Sequence, residues 1–150
     1  MAPDTRLLLR AEDAEDLAVI SAVVQDALIS VKDLTYERAE RRFTVVANRF
    51  RWESRPDGAD GGAAFERTLC ALSFAGVASV SYRGFRRRDD ERILSLLAIR
   101  PGNKPGTIEL EFSGGAALRL AVSEIRVYAT DRGDAWPTAW QPDHEAGDTP

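Results

Sequence analysis

The chain holds one cysteine, one histidine and one methionine in 150 residues. A lone Cys70 permits no internal disulfide and no cysteine-based zinc site, which suits a reducing compartment. A lone His144 permits no histidine metal cluster. A Ser-His-Asp or Cys-His mechanism would need that imidazole held against a nucleophile, and it lies in a tail with Pro137, Pro142 and Pro150. The stretch from Met1 to Arg10 carries only the three leucines Leu7, Leu8 and Leu9. That is too short for a signal-peptide core or a bilayer span, so the expected location is cytoplasmic, with no membrane partner. Lysine is almost missing: Lys32 and Lys104 stand against eighteen arginines. Net charge is −4 with no basic stripe, so nucleic acid is not an expected partner. Gly61-Gly62 and Gly114-Gly115 lack the lysine and following helix of a phosphate-cradling loop. There is no G-x-S-x-G elbow. No cofactor is expected.

What is present describes architecture. A length of 150 residues fits one domain over 1–150, and 44% apolar with 29% charged residues is ordinary for a globular protein. A pattern of strand, polar turn and strand occurs twice. The first copy runs Val31–Tyr36 then Phe43–Arg49, and the second Val77–Tyr82 then Ile93–Arg100. Between Ala11 and Leu28, the residues Leu17, Ile20, Val23, Val24, Ala27 and Leu28 make one apolar stripe at helical spacing. Asp13 is placed to cap that helix, with Glu15 and Asp16 in its first turn.

Several strands show alternation. Ile108, Leu110 and Phe112 alternate with Glu109 and Glu111, and Glu37–Arg41 is short enough for a hairpin turn. In Arg42–Trp52 the apolar phase changes, because Phe43, Val45 and Ala47 share one parity and Phe50 and Trp52 the other. A bulge near Asn48 would return Phe50 and Trp52 to the core, and the alternative is a strand buried on both faces. Ile93–Ile99 is apolar on both parities and predicts a central strand covered on both faces. Leu118, Leu120 and Val122 are followed on the other parity by Ile125, Val127 and Ala129, so Ser123-Glu124 is a bulge or corner. Trp136 and Trp140 predict a tail that wraps the domain, with 145–150 disordered.

The residues that could carry chemistry are few. Cys70 sits in an apolar run and reads as a buried, inert thiol. Asp57 and Asp60 lie in a glycine-rich loop that reads as flexible, not as a cation site. Glu109 and Glu111 share one strand face and read as an exposed polar face. Arg86–Arg88 is answered at once by Asp89, Asp90 and Glu91. The most suggestive surface is Arg49-Phe50-Arg51-Trp52-Glu53, where alternation puts Arg49 and Arg51 on one face, able to grip a carboxylate or phosphate. The bland reading of that face is a solvated strand paired with local acids, Asp33 and Glu53 being the nearest by pattern. The contact residues expected are therefore Asp33, Arg49, Arg51, Trp52 and Glu53.

The strings Asp33-Leu34-Thr35-Tyr36, Arg41-Arg42-Phe43 and Asn48–Glu53 resemble a small uncharacterised proteobacterial family, a domain of unknown function. So do Leu94–Ala98 and the tail residues Asp131, Gly133, Trp136, Pro142 and His144. The resemblance spans nearly the whole chain and implies no catalytic residues. The fold expected from the pattern is α+β. An N-terminal helix packs on a bent antiparallel sheet or partly open barrel of about seven to nine strands, which the repeat allows to be two related hairpin units. The function expected is a non-enzymatic binding or adaptor module for an unknown protein or small anionic ligand. The alternative is a metabolite sensor or enzyme with a pocket near Asp33, Arg49 and Glu53.

Overall fold

The computed structural model describes residues 7–50, 66–89 and 91–137. Arg51, Trp52, Glu53, the Asp57/Asp60 loop, Trp140, His144 and 145–150 lie outside the described residues, as does the side chain of Trp136. The elements run β1 (Leu8–Ala11), α1 (Ala14–Val23), β2 (Leu28–Glu37), β3 (Arg42–Phe50), β4 (Glu66–Phe74), β5 (Val77–Arg83), β6 (Ile93–Pro101), β7 (Thr107–Phe112), β8 (Ala117–Val122) and β9 (Val127–Pro137). All nine strands form one antiparallel sheet in the order β1-β9-β4-β3-β2-β6-β7-β8-β5. Among the described residues it has two edges, β1 and β5, and is not closed into a barrel. The expected α+β class is thus corrected: the described chain is mostly β, with one ten-residue helix.

The helix is shorter than its apolar stripe for a local reason. Asp13 caps it by accepting the Asp16 N–H at 2.8 Å, and Asp16 reaches back to the Glu12 N–H. At the other end Asp26 takes a left-handed conformation, φ 66°. Its N–H then donates to the Leu96 carbonyl, and the Ala27 carbonyl accepts the Leu96 N–H. Strand pairing with β6 claims the backbone before the stripe runs out. Val24 and Ala27 are buried all the same, from the turn that follows the helix. Leu17 and Ile20 form the buried face of α1, and Ser21 Oγ accepts the Ile99 N–H at 2.9 Å, fixing α1 to β6.

The repeated pattern does not make two hairpins. β2 and β3 do pair, through a 3-10 turn at Arg38–Glu40 and a left-handed Arg41, φ 54°. β5 and β6 do not: β5 pairs β8, and β6 pairs β2 and β7. The charged segment between them folds on itself instead, with the Arg86 N–H donating to Asp89 and Arg92 donating to the Gly84 carbonyl. It carries the chain from the sheet edge back to its middle.

What joins the two ends of the sheet order is a bent ribbon. β4 runs against β9 from Glu66↔Pro137 to Phe74↔Val127. β5 runs against β8 from Val77↔Val122 to Arg83↔Ala117. At the corner the Ala75 N–H donates to Arg126 and the Ser123 N–H to Gly76. β4–β5 and β8–β9 are therefore two long strands paired through a common bend, and Ser123-Glu124 lies at the expected corner. Gly76, φ 68°, supplies the left-handed residue the inner strand needs there.

One buried cluster draws on both halves of the sheet and on α1. In the first half the registers set its rows: Phe43, Phe74, Val127 and Ala11 lie abreast, then Val45, Leu72, Ala129 and Leu9. Complete burial of Phe43 and Phe74 stabilises by roughly 1.5–3 kcal/mol each. β6 is not covered on both faces as its composition predicted. Leu94, Leu96 and Ile99 are buried while Ile93 and Leu97 are 59% and 46% exposed. A register shift between Leu96 and Ala98 explains the two apolar parities, since the inward phase changes at the bulge. No helix among the described residues is long and apolar enough to cross a membrane.

Gly84 tests the packing between the β5 end and the turn before β8. Its φ is 80°, and a Cβ there would lie 2.8 Å from Ala116 Cα and from the Gly115 carbonyl oxygen. Gly114 has φ 78° and nothing within 4 Å of such a Cβ. Gly114→Ala should cost roughly 1–2 kcal/mol for the backbone conformation alone. Gly84→Ala should cost a further 1–3 kcal/mol or so from overpacking against backbone. Equilibrium urea unfolding of the two variants measures the difference.

Candidate functional site

Arg49 lies on β3 in strict alternation with Phe43, Val45 and Ala47. The β3–β4 register is regular from Phe43↔Phe74 to Phe50↔Arg67, so the bulge expected near Asn48 is not there. Arg49 consequently points inward and is completely buried. The expectation of a solvated arginine face is corrected at this residue: parity alone puts it with the core. Leaving a guanidinium unpaired in such a place costs several kcal/mol.

Asp131 on β9 meets that requirement. Arg49 Nε donates to Asp131 Oδ1 at 2.9 Å and Nη2 to Oδ2 at 2.8 Å, a bidentate pair with side chains 0% and 3% exposed. Arg49 Nη1 donates to the Phe50 carbonyl at 2.9 Å. Asp131 Oδ2 also accepts the Leu7 N–H at 2.9 Å, and the Asp131 N–H donates to the Leu7 carbonyl at 3.1 Å. The pair thus joins β3, β9 and the residue leading into β1. Asp33 does not enter it. It sits half-buried where the β2–β3 register shifts between Ile29 and Leu34.

Between Ala47 and Asp131, in the same row, lies Cys70. Burial, with Asp131 beside it, pushes its thiol up to about 12, against a partial pull downward from Arg49. Thr68, opposite Arg49 on β4, is buried, and its hydroxyl has no hydrogen-bond partner among the described residues. On the other face of the same strands, Arg67 donates to the Asn48 carbonyl and side chain at 3.0 and 3.1 Å. Its guanidinium lies 3.8 Å from the Phe50 ring centre, and burial pulls its pKa below the ordinary arginine value. This end of the sheet is a set of arginines held by their neighbours. Among the described residues no group of His, Cys, Asp or Glu could hold a metal ion.

A second polar region lies on the outer face of β6, β7, β8 and β5. Registers place Arg100, Glu109, Arg119 and Ser81 abreast, with Glu111, Ala117 and Arg83 in the next row. Glu109 is held between Arg119, at 3.1 Å, and Arg100, at 3.6 Å, and is only 6% exposed. Glu111 pairs with Arg100, whose hydrogen bond lowers the carboxyl's pKa. The exposed polar face expected for these two glutamates is an ion-pair ladder, with Glu109 buried beneath it. Ser81, Tyr82, Arg83, Glu109, Ala117, Leu118 and Arg119 line a shallow open depression of about 150 Å³ at its end. Arg83 has no carboxylate within 4 Å among the described residues.

The sequence carried a signal for Asp131 that composition hides. Asp131 continues the parity of Val127 and Ala129, as Arg49 continues that of Phe43, Val45 and Ala47. Opposite charges that each fall on a core parity point to a buried pair. Nothing comparable marks Arg83 and Arg119, which come to neighbouring rows of one face only through the β5–β8 register.

These features define a mostly β protein whose single open sheet has a buried ion pair at one end and an arginine-rich outer face at the other. The chain belongs to the family described as "Protein of unknown function (DUF2948)", whose model matches residues 7–144. Comparison with curated proteins and with solved structures returns no significant match.

Two outcomes follow from the buried end. Arg49→Met or Asp131→Leu alone should each destabilise by about 3–5 kcal/mol, because each strands a buried charge, while the double variant recovers much of that loss. Denaturant unfolding of the three variants completes the cycle. Cys70 should not react with a thiol reagent at pH 8 in the folded protein and should react fully in denaturant. Its folded pKa of about 12 lies above the ordinary 9.0. Between those values the unfolded chain loses the proton and the folded chain keeps it, so this residue's contribution to stability is lost as pH rises above 9. Cys70→Ala should flatten that part of the pH–stability profile.

Proposed function

We propose that the protein is a non-enzymatic binding module that takes an anionic group, a carboxylate or phosphate, of a protein or small ligand on the outer face of β5 and β8. The observation that carries this reading is that Arg83 and Arg119, diagonal neighbours across the β5–β8 register, line an open depression together with Ser81. On that face Arg83, Arg100 and Arg119 outnumber Glu109 and Glu111, so the local charge is positive in a chain that is acidic overall. Arg119 gives Nε and Nη2 to Glu109, which leaves its Nη1 donors for a ligand. A hydroxyl and two guanidiniums are a donor set suited to carboxylate or phosphate oxygens.

A metabolite pocket built on Asp33, Arg49 and Glu53 has less support. The Arg49 guanidinium is held by Asp131, and Asp33 lies at the β2 register shift on another strand. Glu53 is outside the described residues.

The test is an amide chemical-shift titration with inorganic phosphate and with a glutamate-rich peptide. At least one probe should move Ser81, Arg83, Ala117 and Arg119, less so as salt is added. Arg83→Glu should abolish the response while leaving the unfolding midpoint unchanged. Shifts that avoid β5 and β8, or that survive Arg83→Glu, would sink the reading.

A further inference from the structure

The two edges of the sheet are built differently. β1 is four residues long and is flanked by an Arg10–Glu12 ion pair at 3.4 Å. Short length and charge are ordinary means of keeping a strand edge from recruiting another strand. β5 is seven residues long, and Val77-Ala78-Ser79-Val80-Ser81-Tyr82 carries no charge and no proline before Arg83. A single register shift between Val77 and Ser79 is its one irregularity.

The hydrogen-bond phase of β5 follows from its neighbours. The Val122 N–H donates to Gly106, away from β5, and the Val77 N–H donates outward to the Arg41 carbonyl. Alternation along an antiparallel ladder then turns Ala121 toward β5, and Leu120 and Leu118 away from it. Their partners Val80 and Tyr82 present their own N–H and C=O groups to the open edge. No strand among the described residues takes them. Of the residues outside the description, 51–65 follow Phe50 and 138–150 follow Pro137, both at the far end of β4 from the corner where β5 begins; 1–6 precede Leu7, and 90 stands between β5 and β6 in the chain.

We infer that β5 pairs with β5 of a second copy of this chain, antiparallel and centred on Ser81. In that register Val80 of each copy exchanges both backbone hydrogen bonds with Tyr82 of the other, four bonds in all. Ser81 faces Ser81 in a narrow, non-hydrogen-bonded pair, and Ser79 faces Arg83, so no like charges oppose each other. Centring on Ser81 also avoids the irregular residue Ala78. Ser79, Ser81 and Arg83 are exposed on the outer face, whereas Val80 and Tyr82 pack against the chain's own core, which leaves the edge level. An acidic peptide is a less fitting occupant, since the hydrogen-bonding residues Val80 and Tyr82 carry no charge to select it. The inference is independent of the anion reading, although the two-fold axis would bring two copies of the Ser81–Arg119 row together.

Sedimentation and cysteine cross-linking test it. The wild-type chain should sediment at twice its 16.5 kDa mass at submillimolar concentration. Ser81→Lys, which sets two ammonium groups face to face, should shift it to the monomer with an unchanged far-UV spectrum. Ser81→Cys should form an interchain disulfide under mild oxidation, and Ser79→Cys should not, because Ser79 faces Arg83. Native Cys70 is buried and does not compete. A monomeric wild type at that concentration overturns the inference. So does a dimer that survives Ser81→Lys, or a cross-link through residue 79 in place of 81.

Discussion

A guanidinium and a carboxylate with almost no access to water can coexist in an apolar core only if each satisfies the other, and Arg49 and Asp131 meet on that condition. β4 lies between them in the sheet, so the pair holds only when β3, β4 and β9 are all in register. A slip of one residue in β3 would turn Arg49 to the outer face and leave Asp131 buried alone. Leu7 completes the carboxylate's coordination and brings β1 to its place on β9. A charge pair of this kind adds little net stability, since its desolvation offsets its attraction. What it contributes is intolerance of alternatives. Aliphatic rows slide past one another at modest cost, and a buried bidentate pair does not.

The same residues show how far the sequence could be read. Period-two alternation located β7 and much of β3 and β8, because each keeps one parity inward along its length. It found the corner at Ser123-Glu124 from the change of parity, and it failed at the β6 bulge. β6 looked doubly buried because Leu94 and Leu96 face in before the shift and Ile99 after it. The helix looked longer than it is because Val24 and Ala27 are buried by the following turn, not by continued helix. Strand partners were illegible for another reason. β5 and β6 resemble a hairpin locally, but β8 outcompetes β6 for β5 through pairing that local pattern does not encode. For the candidate site, the residue types were visible and the environment was not. Arg49 read as a surface arginine until its parity was taken literally.

The sheet divides its charges in opposite ways at its two ends. In the β1-β9-β4-β3 half, an ion pair is enclosed and both partners are committed. In the β6-β7-β8-β5 half, the ladder lies on the outer face, with Arg100 and Arg119 side chains 47% and 40% exposed. The Arg100–Glu111 pair, with both partners open to solvent, is of the weak and screened kind, while Glu109 beneath it is buried. Enclosed charge specifies the fold, and exposed charge stays in contact with solvent, which is what the proposed anion contact requires. That division makes β5 and β8 the better place to seek a ligand than the arginine-rich strand that draws attention in the sequence.

Val77 adds a boundary. Its N–H is taken by the Arg41 carbonyl and its own carbonyl by the Tyr36 hydroxyl, so the tip of the β2–β3 hairpin occupies both outward groups. The open edge therefore begins after Val77 and ends where the chain turns away at Gly84. It is a slot of fixed length, not a rail. A slot saturates with one short strand, and the opposite edge, among the described residues, is the four-residue β1. Molecules with two long open edges can add to one another without limit and grow into fibres. A molecule with one short, stopped edge has a finite valence, and the hairpin tip resting on Val77 sets it.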